Sequence, residues 1–207
     1  MAREKYTKIP ANTFKHLVVN AGIMLANFTP GTGEYQDEDM LGPTSGGVNF
    51  TTTPSFSDWG EDIDNCPKNT KELKRLEDWD VKMSGSFVAV SAELATMLSA
   101  LADKTDVEAT TGENATRAYA KVTPRDTVDV ENDFHDIWLV GDYSDVNTGT
   151  NAGYIAIHMM NALSTGGLQL QTQDKGKGQF AFEFTGHYSL DAQDTVPYEI
   201  YITADAA

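Results

Sequence analysis

Residues Gln179–Leu190 read QFAFEFTGHYSL. Phe180, Phe182, Phe184, Gly186, Tyr188 and Leu190 fall on one parity, and Gln179, Ala181, Glu183, Thr185, His187 and Ser189 on the other. Twelve residues of period-two alternation predict a half-buried strand. At roughly 3.3 Å per residue it would span about 40 Å, twice an ordinary strand. Burying the large side chains of one face contributes on the order of 10 kcal/mol before entropy is counted. The opposite face is polar and carries one charge, Glu183. Such a strand predicts a large antiparallel sheet with one face on a core and the other toward water or a neighbour.

Outward from this strand the chain keeps alternating. Leu168–Gln173 (LQLQTQ) places Gln169, Gln171 and Gln173 outward, and Asp174–Gly178 (DKGKG) forms the turn into the long strand. Val196–Thr203 reads as a closing strand. Tyr154–Leu163 (YIAIHMMNAL) is apolar on both parities and fits a strand or a helix; Tyr and Ile at its start favour a strand. Phe134–Tyr143 (FHDIWLVGDY) has the hydrophobic centre of a central strand, and Asp145–Ala152 reads as a turn. In Thr116–Val122, Arg117, Tyr119 and Lys121 oppose Ala118, Ala120 and Val122, while Thr105–Asn114 is a polar loop or a short strand.

Trp79–Val90 is a further strand with Val81, Met83, Gly85, Phe87 and Ala89 on one face. Ser91–Ala102 is the one helix that the pattern predicts. Ser91 is a suitable N-cap, Glu93 favours the first turn, and Leu94, Met97, Leu98 and Leu101 form an apolar stripe. Val48–Thr53 (VNFTTT) is a strand, and Pro54–Thr70 is irregular and acidic. Thr29–Gly47 carries five Gly, two Pro and four acids, a long inter-strand loop of the kind that is functional or disordered. Phe14–Asn20 and Gly22–Phe28 are two opening strands, preceded by a polar arm over residues 1–13. The fold expected is mainly β, a two-sheet β-sandwich or barrel in a single domain over residues 1–207. One α-helix (about 91–102) flanks it, and the long loop covers about 29–47.

Thirty-one acids against fifteen bases give a net charge of −16. From His16 to Pro67 there are eight acids and no Lys or Arg; Asp126–Asp174 repeats that balance. This segregation fits acidic surfaces that meet basic ones on a neighbour, and equally a merely soluble acidic surface. It argues against tight, salt-sensitive DNA binding, which needs cations at the phosphates. MAREKYTKIP has no apolar segment behind it, so no secretory signal and no membrane insertion are expected. A single cysteine, Cys66, permits no internal disulfide and suits synthesis in a reducing cytoplasm.

Reactive chemistry is missing from the pattern. His16, His135, His158 and His187 sit on separate segments, none spaced as a zinc pair. Asp58–Asp64 (DWGEDID) lacks the Gly and distal Glu of a calcium loop; it is a solvated loop or a weak divalent-ion site. Lys175-Gly176-Lys177-Gly178 lacks the phosphate-loop frame, and no GxSxG occurs. No catalytic residue, cofactor or metal is assigned, and an enzyme is not expected. Trp59, Trp79 and Trp138 fit a sugar site in one reading; burial in a sandwich accounts for at least two of them in the other.

Several segments together resemble the major tail protein, or tail tube protein, of bacteriophages with long non-contractile tails. They are the two opening strands, the loop Thr29–Gly46, Gly47-Val48-Asn49-Phe50 resuming the sheet, and Asn69-Thr-Lys-Glu-Leu-Lys. Met83-Ser-Gly-Ser-Phe-Val-Ala-Val leads into the helix, and Gly178-Gln-Phe-Ala-Phe-Glu-Phe-Thr-Gly-His-Tyr and Pro197-Tyr-Glu-Ile-Tyr-Ile complete the set. The resemblance implies stacked rings, commonly hexamers, made in the host cytoplasm and housed in the virion tail. They enclose a channel for genome delivery that the tape measure protein occupies beforehand, with tail terminator and initiator proteins as further partners. Double-stranded DNA passes without specific binding. Six copies at −16 each would make adjacent rings repel unless basic segments meet acidic ones.

Two sets of residues are therefore candidates. Arg3, Lys5 and Lys8 of the arm and Glu34, Asp37, Glu38 and Asp39 of the loop are candidates for ring-to-ring contacts, on complementary sign. Deleting Thr32–Pro43 is then expected to leave a folded subunit that no longer makes tubes. Gln169, Gln171, Gln173 and Glu183 are candidates to face the channel; the same face also fits solvent or a neighbour. The alternative function is a β-sandwich that binds carbohydrate or decorates a virion surface.

Overall fold

The computed structural model describes residues 20–111, 115–142 and 153–203. It is mainly β, with one α-helix and two antiparallel sheets. In chain order the elements are β1 (Ile23–Leu25), β2 (Thr44–Asp58), β3 (Lys74–Phe87), α1 (Ala92–Leu98), β4 (Ala102–Val107) and β5 (Tyr119–Pro124). They continue with β6 (His135–Asp142), β7 (Tyr154–Ser164), β8 (Gln169–Gln171), β9 (Gln179–Gly186) and β10 (Tyr198–Ile202). The large sheet runs β1-β6-β7-β9-β3-β2, with β10 added to β7 and β8 to β9; β4 and β5 form a separate ribbon.

β7 explains how one ladder makes two layers. Its residues 155–159 pair with β10 on one side and with β6 on the other, while Ala162–Ser164 pair with β9. Between the two stretches Asn161 takes φ +49°, a left-handed conformation that Asn tolerates better than most residues. Its amide nitrogen donates to Asp136 Oδ1 (3.1 Å) and its side-chain Nδ2 to the His187 carbonyl (3.1 Å). The strand turns there from one layer into the next. Met24, Ile137, Met159 and Ala162 of the first layer meet Val81, Met83, Phe87, Phe182 and Phe184 of the second, and Leu94 and Leu98 of α1 close the end. A second cluster, Leu25, Phe28, Trp138, Val140 and Ala156, lies on the other face of the first layer. β7 therefore faces apolar surroundings on both sides, which is why its sequence shows no alternation.

The strand expected over Gln179–Leu190 is shorter than its pattern. β9 stops at Gly186, because its last partners are Lys82–Thr185 and Ala162–Gly186. Beyond it the chain turns, with a bridge between Ser189 and Ala192, and Leu190 is 86% exposed. The helix is shorter too: Ala92–Leu98, not Ser91–Ala102. Ser91 Oγ caps it by accepting from Leu94 N (3.1 Å). At the other end Ala100 takes φ +63°, and the Leu101 carbonyl accepts from Arg125 N (2.8 Å), so the chain is drawn into the ribbon and Ala102 begins β4.

β2 begins at Thr44 and runs through Pro54 to Asp58, which shortens the loop expected to reach Gly47 and the irregular stretch expected from Pro54. β2 is the edge of the sheet, where a proline's missing N–H costs no ladder bond. The strand expected over Gly22–Phe28 is three residues long, Ile23–Leu25; of Thr105–Asn114, expected as a polar loop or a short strand, Thr105–Val107 are the end of β4 and residues 108–111 are irregular. Phe14–Val19 and Asp145–Ala152 lie outside the described residues.

Candidate functional site

The outer face of the second layer is the broadest polar surface of the sheet. Register aligns Asn49, Ser84 and Glu183 in one row and Thr51, Lys82 and Thr185 in the next. Ser86, Ala181 and Gln169 form a third row, while Thr53 with Asp80 and Ser55 with Asp78 extend the face along the hairpin. Period-two alternation produces it: Val48, Phe50, Val81, Met83, Phe182 and Phe184 turn inward, so their neighbours turn out. Gln169, Gln171 and Glu183 are thus brought onto one face, all exposed. Gln173 is exposed but lies past the end of β8. Leu170, expected to be covered, is 57% exposed, because three-residue β8 is an edge beyond the core.

In the rows that β3 shares with β9, Lys82 is the one base, beside Asp80 and Glu183; farther along the hairpin, past the bulge between Ser55 and Phe56, Arg75 pairs with Ser57 and Lys74 with Asp58. Its Nζ lies 2.8 Å from Asp80 Oδ2. The hydrogen bond it donates to Asp80, with the attraction of Asp80 and Glu183, holds the ammonium above the ordinary lysine range. The cation is neutralised where it stands. The contributions of β2 and β3 were legible as the alternation VNFTTT, but no sequence pattern announced that they would adjoin the Gln and Glu positions of β8 and β9.

The acidic loop carries a 3-10 turn at Asp37–Asp39. Asp39 is committed within it: Oδ1 accepts from Asn27 Nδ2 (2.8 Å) and Oδ2 from Gln36 N (2.9 Å), and these bonds hold its carboxyl below the usual range. Glu34, Asp37 and Glu38 remain exposed. Arg3, Lys5 and Lys8 lie outside the described residues. The loop also supports β1, since Ala26 N donates to the Asp39 carbonyl and Leu41 N to that of Met24. Deleting Thr32–Pro43 would remove those supports, so neutralising Glu34, Asp37 and Glu38 is the cleaner probe.

Asp58 organises the hairpin end. Its carboxylate accepts from Gly60 N (3.0 Å) and Asn69 N (2.8 Å), which lowers its pKa. Among the described residues no group of three or more His, Cys, Asp or Glu is placed to hold a metal ion. Trp138 is buried against His158, ring centroids 3.9 Å apart, and Trp79 packs on Tyr198. Trp59 is 66% exposed, with the Arg75 guanidinium 5.3 Å from its ring centre. No described helix is long and apolar enough to cross a membrane. No protein-family model matches this chain, and no curated protein matches it.

Proposed function

We propose that the chain is a structural subunit of a hollow tube, assembling as stacked rings, six-fold by the resemblance drawn above, that conduct double-stranded DNA in a bacteriophage tail. The observation that carries the reading is the polar face of β2, β3, β9 and β8, where the one cation in the rows that β3 shares with β9, Lys82, is paired with Asp80. Duplex DNA carries one charge per about 1.7 Å of axis, and every unpaired base on a channel wall would hold it by releasing counterions. A neutral to acidic face repels it weakly and lets it slide. In this reading Gln169, Gln171 and Glu183 line the channel, the tape measure protein fills it before DNA does, and terminator and initiator proteins cap the tube. Its place is the virion tail.

Native mass spectrometry and negative-stain electron microscopy of the full chain test the reading. Rings or tubes of many copies are expected. A monomer at every concentration overturns it. One observation favours a second reading, carbohydrate binding: exposed Trp59 stands within the acidic stretch Asp58–Asp64. Binding to a glycan panel that Trp59→Ala abolishes would support that function instead.

A further inference from the structure

β9 pairs with β3 only over Lys82–Phe87, so the rest of the β2–β3 hairpin leaves the sheet as a two-stranded arm. It is tied back at Trp79, whose N–H donates to the Tyr188 hydroxyl (3.1 Å). Beyond that point Phe56, Leu76, Trp59 and Ile63 are 56%, 51%, 66% and 53% exposed. A hairpin alone in water is marginal and gains from cover. Its end is nonetheless built, through the Asp58 bonds and a turn closed by Cys66 N on the Ile63 carbonyl (3.1 Å). Glu61, Asp62 and Asp64 stand exposed around Ile63.

One patch of the β4–β5 ribbon offers the opposite sign. Lys104 is matched by Glu93 and Asp106, and Arg125 by Asp103 and Asp133. Arg117 and Lys121 form no ion pair with any described residue, and they flank Tyr119, 56% exposed: Lys121 two residues on along β5, Arg117 just before the strand begins. Exposed apolar groups thus stand beside local charge of opposite sign: Glu61, Asp62 and Asp64 around Ile63, at a hairpin end that also carries Lys68 and Lys71, and Arg117 and Lys121 around Tyr119, on a ribbon that also carries Asp103 and Asp106. No ion pair joins them within one copy.

We propose that the end of the β2–β3 hairpin docks on the β4–β5 ribbon of a second copy of this chain, Asp62 and Asp64 meeting Arg117 and Lys121 while Ile63 covers Tyr119. The proposal rests on the reading of the chain as a self-assembling subunit. Charge complementarity selects a second copy: each copy carries both halves of the joint, in a protein otherwise acidic. The apolar contact supplies affinity and the charges orient it. Because the two surfaces differ, the contact is head-to-tail and builds rings or filaments.

Two charge-reversed variants of the full chain test it, D62K/D64K on the arm and R117E/K121E on the ribbon. Light scattering and native mass spectrometry follow assembly. Each variant alone is expected to assemble at least tenfold more weakly than the wild type, and an equimolar mixture to recover, since every arm then faces a ribbon of opposite sign. Zero-length carbodiimide cross-linking of mixed light- and heavy-isotope wild type needs no variant. It is expected to join Lys121 of one copy to Asp62 or Asp64 of another. Wild-type assembly with variants that assemble equally well, with no recovery on mixing, or with cross-links elsewhere only, overturns the contact and leaves the tube reading standing. A wild type that never assembles overturns both. An unrelated acidic protein holding the ribbon in place of a second copy also overturns it.

Discussion

Lys82 Nζ rests 2.8 Å from the carboxylate of Asp80, two residues back on the same face of β3. Period-two geometry makes neighbours of i and i+2 on one side of a strand, so the pair is local and needs no other element. It removes the one free cation that this face would otherwise present in the rows that β3 shares with β9.

Asp80→Asn should therefore change what the face does to a polyanion and little else. Both side chains are largely solvated, so the melting temperature should stay put. Assembled particles should gain DNA retention that weakens with salt, with a log–log slope steeper by about one per contact. Filter binding across a salt series checks it.

Arg125 and Asp133 form the opposite kind of pair. Asp133 is buried, its second oxygen accepting from Asp129 N (2.7 Å). Arg125→Met leaves that carboxylate uncompensated and should cost about 3–5 kcal/mol. The double variant R125M/D133L should recover much of the loss, as measured by urea denaturation.

Acid should unfold the protein in two stages. Burial lowers the pKa of His135 from 6.5, so its neutral form stabilises the fold above that pH, and the contribution is lost as pH falls through the folded value. Asp136 is lowered from 3.8, first by the His158 ring, whose Nε2 lies 3.3 Å from its Oδ2, then by the hydrogen bond from Asn161 N. Its contribution is present above 3.8 and lost as pH falls further. His135→Gln should flatten the stability curve just below pH 6.5, and Asp136→Asn the limb below 3.8. Denaturant midpoints measured from pH 7 to 3 separate the two.

Ser91→Ala removes the oxygen that accepts from Leu94 N and should cost about 1 kcal/mol. Because α1 has only seven residues and holds Leu94 and Leu98 over the core, fraying should be global and visible in thermal unfolding.

The alternation of β9, the Ser91 cap and the apolar stripe of Leu94 and Leu98 were readable because each depends on spacing within one element. From the residues alone came a mainly β chain with one helix, and the outward turn of Gln169, Gln171 and Glu183. The lengths were not readable. β9 ends where β3 and β7 run out of partners, and the chain past the helix is drawn away where Arg125, just after β5, takes the Leu101 carbonyl; both limits involve residues distant in sequence. Only the tertiary structure decided that β7 turns between layers at Asn161 and that Lys82 shares a face with Glu183. It also decided that the β2–β3 hairpin outreaches its sheet and leaves Phe56 and Leu76 exposed. Side-chain periodicity is a property of the backbone and survives any context; strand ends and exposure depend on which other segments arrive alongside.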